Sequence, residues 1–402
     1  MTAQTSVDFR VSDGLRTDLR RWRTRALIVG VIGMLAMAAG LLVFRQPFQF
    51  YQSYLWAFLF VLGLAVGPLA WLMLQYLTGG AWGVVIRRPA EAAARTLPLV
   101  LVLFVPIIIG IPNLYPWAHP AVVAADRVLT HQAPYLNYRF FLLRAFVYFF
   151  GWMFLSYYFN RWSLVEDRDG PAKAHGRMSF LAGPGVIFWS LSVTFMSIDW
   201  VLSLHSQWFS TMFGLLFMAG QGLTSMAFLI TLLAALQARA PMSQVLTKRH
   251  FHDLGKLMFA LTMVWAYFSY SQFLIIWTGN LPDEIPWYLS RTNGGWGYIA
   301  MGLVLFHFAL PFSLLLSRDL KRNAKLLRNV AIFVLFMRMV DLFWQVTPYF
   351  YGSAFHLSWM DIAAPAGLIG IWLAYFFIQL EKRPLMPLHE PNLEEALNHG
   401  RE

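Results

Sequence analysis

Ten long apolar stretches run along the chain, separated by short polar connections. They cover residues 26–44, 54–77, 96–111, 140–160, 178–204, 208–236, 257–277, 295–317, 329–346 and 359–380. A bilayer core about 30 Å thick asks for roughly 20 apolar residues per helix. Only 96–111 and 329–346 fall clearly short of that length. Each stretch must satisfy its own backbone in lipid, so the pattern predicts helices. The short alternating strands of a transmembrane barrel are absent. The expectation is an all-α integral membrane protein with ten transmembrane helices.

Composition agrees. Hydrophobic residues make up 58% of the 402 positions and charged residues 13%, a balance unsuited to a soluble domain of this size. With residues 1–25 placed in the cytoplasm, the inner segments hold 25 of the 31 Lys and Arg. The outer loops hold Arg45, Arg127, Arg139 and Arg291, while Arg144 and Arg338 lie inside spans. That asymmetry predicts cytoplasmic termini and suits a bacterial inner membrane. The net charge of +11 follows from it, so nucleic acid is not an expected partner. Six arginines before a 19-residue apolar run mark a retained anchor rather than a cleaved signal. The absence of cysteine excludes thiolate-held iron–sulfur clusters, covalently attached haem and thiol catalysis in this chain.

A short likeness links Phe195-Met196-Ser197-Ile198-Asp199-Trp200 to Phe336-Met337-Arg338-Met339-Val340-Asp341. The two lie four spans apart, in the fifth and ninth. It fits two four-helix bundles, spans two to five (54–204) and six to nine (205–350). A first helix with its loop (26–53) and a last helix with its tail (351–402) would flank them. Chance explains so short a match equally well.

The charges inside apolar stretches carry the chemistry, because an ionised group at a helix centre costs roughly 2.5–3.5 kcal/mol on insertion scales. Arg144 and Asp199 fall at similar depth on consecutive antiparallel spans and are expected to pair. Arg338 and Asp341, three apart, share a helical face. His307 sits mid-span. Thr262, Ser269 and Gln272 share roughly one face of the seventh span, with Tyr267 and Tyr270 nearby. The inner mouth of that span carries His250, His252, Asp253 and Lys256. A proton path would run from Asp253 and Lys256 through Thr262, Ser269, Gln272 and His307 to Arg338, Asp341 and Asp199. The bland alternative is that the pairs neutralise each other and the hydroxyls join helices. Asp361 reads as a helix-start residue. Haem held by two histidines lacks a second histidine at membrane depth, and no four-residue metal constellation stands out.

Two stretches go further. One is Asp199-Trp200-Val201-Leu202-Ser203-Leu204 with Gln207-Trp208-Phe209-Ser210-Thr211. The other runs from His252-Asp253-Leu254-Gly255-Lys256 through Trp265-Ala266-Tyr267 and Ser271-Gln272-Phe273-Leu274-Ile275-Ile276-Trp277. It continues to Gly279-Asn280-Leu281-Pro282-Asp283-Glu284 and Trp287-Tyr288. Together they resemble the NrfD/PsrC-like membrane subunits of Alternative Complex III, a quinol:cytochrome c oxidoreductase, most closely the smaller, ActF-type subunit. Asp283 stands where that pattern suggests glutamate, and Pro286 is an added rigid point.

The resemblance implies a chain that binds no redox centre itself. Haem c and iron–sulfur clusters would sit in partner subunits: a larger NrfD-like sister, an iron–sulfur protein, and multihaem and monohaem cytochromes c. A cytochrome c oxidase can also attach in that family. Lipids surround such a subunit. It further implies a proton-translocating half-channel, with the family's outer-end aspartate at Asp199, and quinol oxidation chiefly in the sister subunit. Any quinone contact here is expected at Arg144, Asp199, Tyr138 and His205. A secondary transporter or a purely structural anchor are the competing expectations. Against a transporter, no pair of spans is visibly broken at matching positions, although Gly183-Pro184-Gly185 interrupts the fifth.

Overall fold

The computed structural model describes residues 8–205 and 207–400, so residues 1–7 of the expected N-terminal segment and 401–402 of the tail lie outside it. Every regular element among the described residues is helical. Numbering the long helices alone, α1 is Asp13–Leu42, α2 Pro47–Thr78, α3 Ala81–Ala94 and α4 Leu97–Ile109. Then come α5 Tyr138–Asp169, α6 His175–Trp200, α7 Met212–Leu236 and α8 Lys248–Gly279. The last three are α9 Gly295–Leu316, α10 Ala324–Val346 and α11 Met360–Glu381. Eight of these are long and apolar enough to cross a membrane, and α3 with α4 forms a ninth candidate bent by 43°. This is a multi-pass membrane architecture, with large apolar side chains such as Phe180, Ile187 and Val102 turned outward.

Burial is graded. α2 and α7 are the centre: 89% and 83% of their apolar windows are buried. They touch through small residues, and the Trp71 indole donates to Gly222 O at 3.2 Å and Ser225 Oγ at 3.1 Å. α6 joins them through Trp189, which donates to Val66 O at 3.1 Å. Satisfying indoles in this way matters where no water competes. α1 packs along α11 by a different device. A Cβ on Gly33 would lie 2.6 Å from Gly367 Cα, and one on Gly30 would lie 2.6 Å from Ile371 N. Only glycine permits that approach, the small-residue contact of membrane helices. The opposite face of α1 stays bare.

Two expectations need correction. The polar connection between the second and third stretches is not a loop: it is α3, buried along nearly its whole length. α1 begins at Asp13, where Ser12 caps it by accepting from Leu15 N at 3.4 Å, well before residue 26. The tail after Glu381 is fastened to the rest of the chain. Leu385 N donates to Phe9 O at 2.9 Å, Leu388 N to Asp167 Oδ1 at 2.9 Å, and Thr247 Oγ1 to His399 O at 2.7 Å. It straps the end of the molecule where α1 begins and α11 stops, hereafter the basic end.

Candidate functional site

The fold brings His307, Trp265, Asp341 and Arg338 together at mid-bundle. α9 departs from α-helical winding over Leu303–Ala309, a π-helical segment that carries His307. Such segments widen the helix and re-aim a side chain. His307 is fully buried, its ring edge-on to Trp265 with centroids 4.2 Å apart. Neither of its ring nitrogens has a hydrogen-bond partner among the described residues. Burying an unpaired N–H costs about 1–3 kcal/mol, so this histidine is held against a penalty.

Trp265 also donates from Nε1 to Asp341 Oδ2 at 3.2 Å. Asp341 is ion-paired with Arg338, both nearly fully buried. Arg338 Nε donates to Thr224 Oγ1 at 3.4 Å. Its guanidinium lies over Gly220, where a Cβ would fall 2.7 Å from Cζ. Gly220 and Thr224 shape this site. A helix-facing glycine one turn from a threonine was the only signal in the sequence, and it is a weak one.

Along α8 the same face continues through Ser269 to Gln272, one and two turns beyond Trp265. Ser269 Oγ is buried and unpaired, while Gln272 accepts from Ser210 Oγ at 3.1 Å and donates to Tyr288 OH at 3.3 Å. Polar groups therefore lead from mid-bundle toward the non-basic end. Tyr267 and Tyr270 do not join them, because both rings are exposed on other faces of α8. Toward the basic end the line stops. Thr262 spends its hydroxyl on Met258 O at 2.9 Å. Asp253 and Lys256 pair at 3.6 Å, about 18 Å of helix rise from Trp265 to Asp253.

At the non-basic end Arg144 Nε meets Asp199 Oδ2 at 2.8 Å, and Tyr148 OH donates to the same oxygen at 2.7 Å. Arg144 also donates to Tyr135 O at 2.8 Å and stacks 3.8 Å over the Tyr135 ring. Arg144 Nη2 and Asp199 Oδ1 are left without hydrogen bonds. Tyr138 and His205 do not assemble with them. Tyr138 opens α5 with its ring half exposed, and His205 packs on Tyr349 at 5.7 Å. Burial, then the Arg291 charge, pushes the His205 pKa down to about 4.

Two features escaped the sequence. The first is an ion network under the strap. Arg87, fully buried, pairs with Glu91, Glu166 and Glu390; Arg88 pairs with Glu91 and Asp167; Arg383 reaches Glu91 at 3.3 Å. His175 Nδ1 lies 3.0 Å from Glu166 and 3.9 Å from Glu390. Glu166, His175 and Glu390 are close enough to offer three ligand atoms to one metal ion. The fit is poor, because Arg87 already places a cation between both carboxylates. In the sequence these arginines fall among the basic inner segments, and nothing there points to their burial.

The second is an apolar groove of about 910 Å³ along α1, α10 and α11, lined by Val29, Phe336, Phe343 and Phe377, with Trp56 and Asp361 at one end. Asp361 accepts from Ser53 at 2.7 Å, Ser358 N at 2.9 Å, and Trp56 and Gln49 each at 3.3 Å. It does sit in the first turn of α11, and its partners on α2 make it more than a helix start. No protein-family model and no curated protein matches this chain.

Proposed function

We propose that this chain is a membrane subunit of a respiratory quinol:cytochrome c oxidoreductase of the Alternative Complex III type. It holds no redox centre and contributes a proton-translocation path. On this reading it spans a bacterial inner membrane ten times, with α10 as one span and both termini cytoplasmic. Two four-helix bundles are flanked by α1 and α11. Its partners are the larger NrfD-like sister, the iron–sulfur protein and the cytochromes c, with a terminal oxidase as a further attachment. The motif stretches from Asp199 to Thr211 and from His252 to Tyr288 support the assignment.

The observation that carries the proton role is His307: buried, unpaired at both nitrogens, and one indole away from the Asp341–Arg338 pair. A proton arriving at His307 would meet Asp341 through a short movement of either side chain. The run of Ser269, Gln272, Tyr288 and Ser210 leads onward to the outer side in this topology. If quinol touches this subunit, its headgroup has two places to bind. The groove headed by Asp361 also accommodates a polyprenyl tail, whereas Arg144 and Asp199 offer two unpaired polar atoms.

The assembled complex, reconstituted in vesicles, tests this. Asp341→Asn and His307→Gln are each expected to lower protons moved per electron while quinol oxidation continues. Unchanged stoichiometry in both would leave the anchor reading. That reading has its own support, since Asp199 and Asp341 each hold an arginine.

A further inference from the structure

A pocket of about 790 Å³ opens at the basic end, between the first turns of α8, the short helix Arg318–Arg322 and the end of the strap. Five permanent cations line it: Lys248, Arg249, Lys256, Arg318 and Arg322. One carboxylate, Asp253, faces them. That carboxylate is already taken, by His399 at 2.7 Å, His252 at 3.5 Å and Lys256 at 3.6 Å. Among the described residues Lys248, Arg249, Arg318 and Arg322 have no acidic partner. Uncompensated like charges repel, so four of them around one cavity is an arrangement that an anion stabilises.

The walls are fixed rather than loose. His399 is tied to Asp253 and its carbonyl to Thr247, which holds the strap against the mouth of α8. In the short helix, Lys321 turns inward over the Phe259 ring at 5.5 Å. Arg318 and Arg322, four apart, share the face toward the pocket. Two guanidiniums on one face match the spread oxygens of a phosphate. The volume is that of a small-molecule site, and the place is where α8 and α9 leave the apolar layer.

We propose that this pocket binds a phosphate-bearing anion, with Arg318, Arg322, Lys248 and Arg249 as its ligands. Two sources carry that group at this level, a phospholipid headgroup and free phosphate. Basic recesses between helix ends at the cytoplasmic side are suited to the first.

The full chain in nanodiscs provides the test, read by native mass spectrometry and lipid exchange. Phosphatidylglycerol is expected to remain bound in preference to phosphatidylcholine. Arg318→Gln/Arg322→Gln should weaken retention about thirtyfold, taking about 1 kcal/mol per basic residue. Arg21→Gln/Lys325→Gln removes two exposed cations outside the pocket and should change nothing. A parallel titration of the detergent-solubilised chain with inorganic phosphate identifies the soluble source. Saturable phosphate binding that is lost in the pocket variant supports the site with that ligand. The proposal fails if neither probe binds, or if both double variants lose binding equally. The latter outcome would mean surface charge alone attracts the lipid.

Discussion

Trp265 couples His307 to Asp341: one face of the indole packs against the imidazole at 4.2 Å, and its N–H donates to the carboxylate at 3.2 Å. A single side chain therefore sets the position of two ionisable groups. Trp265→Phe keeps the packing and deletes the donor. The expected cost is about 1.5–3 kcal/mol, the range for a hydrogen bond to a charged group. The Asp341 carboxylate band in difference infrared spectra should also move. An unmoved band would show that the indole N–H does not reach Asp341.

Gly220 makes a separate demand. Gly220→Ala would push a Cβ into the Arg338 guanidinium, which sits at the end of a flexible side chain and can swing away. Folding should change little, by less than about 1 kcal/mol. On the proposed proton role, proton movement by the assembled complex should fall as far as it does in an Arg338 variant. A large loss of thermal stability with normal proton movement would contradict this arrangement.

Arg87 is the anchor of the network beneath the strap. Arg87→Met leaves Glu91, Glu166 and Glu390 buried without their shared cation. Breaking such a network from one side is expected to cost about 3–5 kcal/mol. Glu390→Gln, which keeps a polar partner, should cost less. Thermal unfolding in detergent distinguishes them, and equal midpoints would remove Arg87 from its assigned role.

His205 predicts a pH dependence. Its folded pKa is depressed to about 4, against an ordinary value of 6.5. Between those values the unfolded chain takes a proton that the folded chain refuses. Stability therefore falls as pH drops through that window and is level above it. His205→Gln should flatten the acidic limb of a stability profile. An unaltered limb would assign the slope to other groups.

The helical membrane architecture was legible because apolar runs of bilayer length leave few alternatives. The partnership of Arg144 with Asp199 followed from equal depth on neighbouring spans, and that of Arg338 with Asp341 from their spacing. What stayed hidden depended on contacts far apart in the chain. α3 read as a polar connection because Arg87, Arg88 and Glu91 look solvated until Glu166 and Glu390 are placed against them. His205 was expected beside Asp199 in a quinone-contacting site, yet the chain turns at Leu202–Leu204 and delivers it to Tyr349. The unusual winding around His307 left no mark in residue type.

Arg87 and Glu390 are 303 positions apart, and the link between them fixes an order of events. During synthesis α3 enters the bundle long before its last counter-ion exists. Until the final helix has been inserted and the strap has emerged, that guanidinium must be shielded by Glu91 and Glu166, by water, or by the insertion machinery. The protein thus locks itself shut from its far end. A chain cut back before residue 390 would leave Arg87 with Glu91 and Glu166 alone and its two ends unfastened.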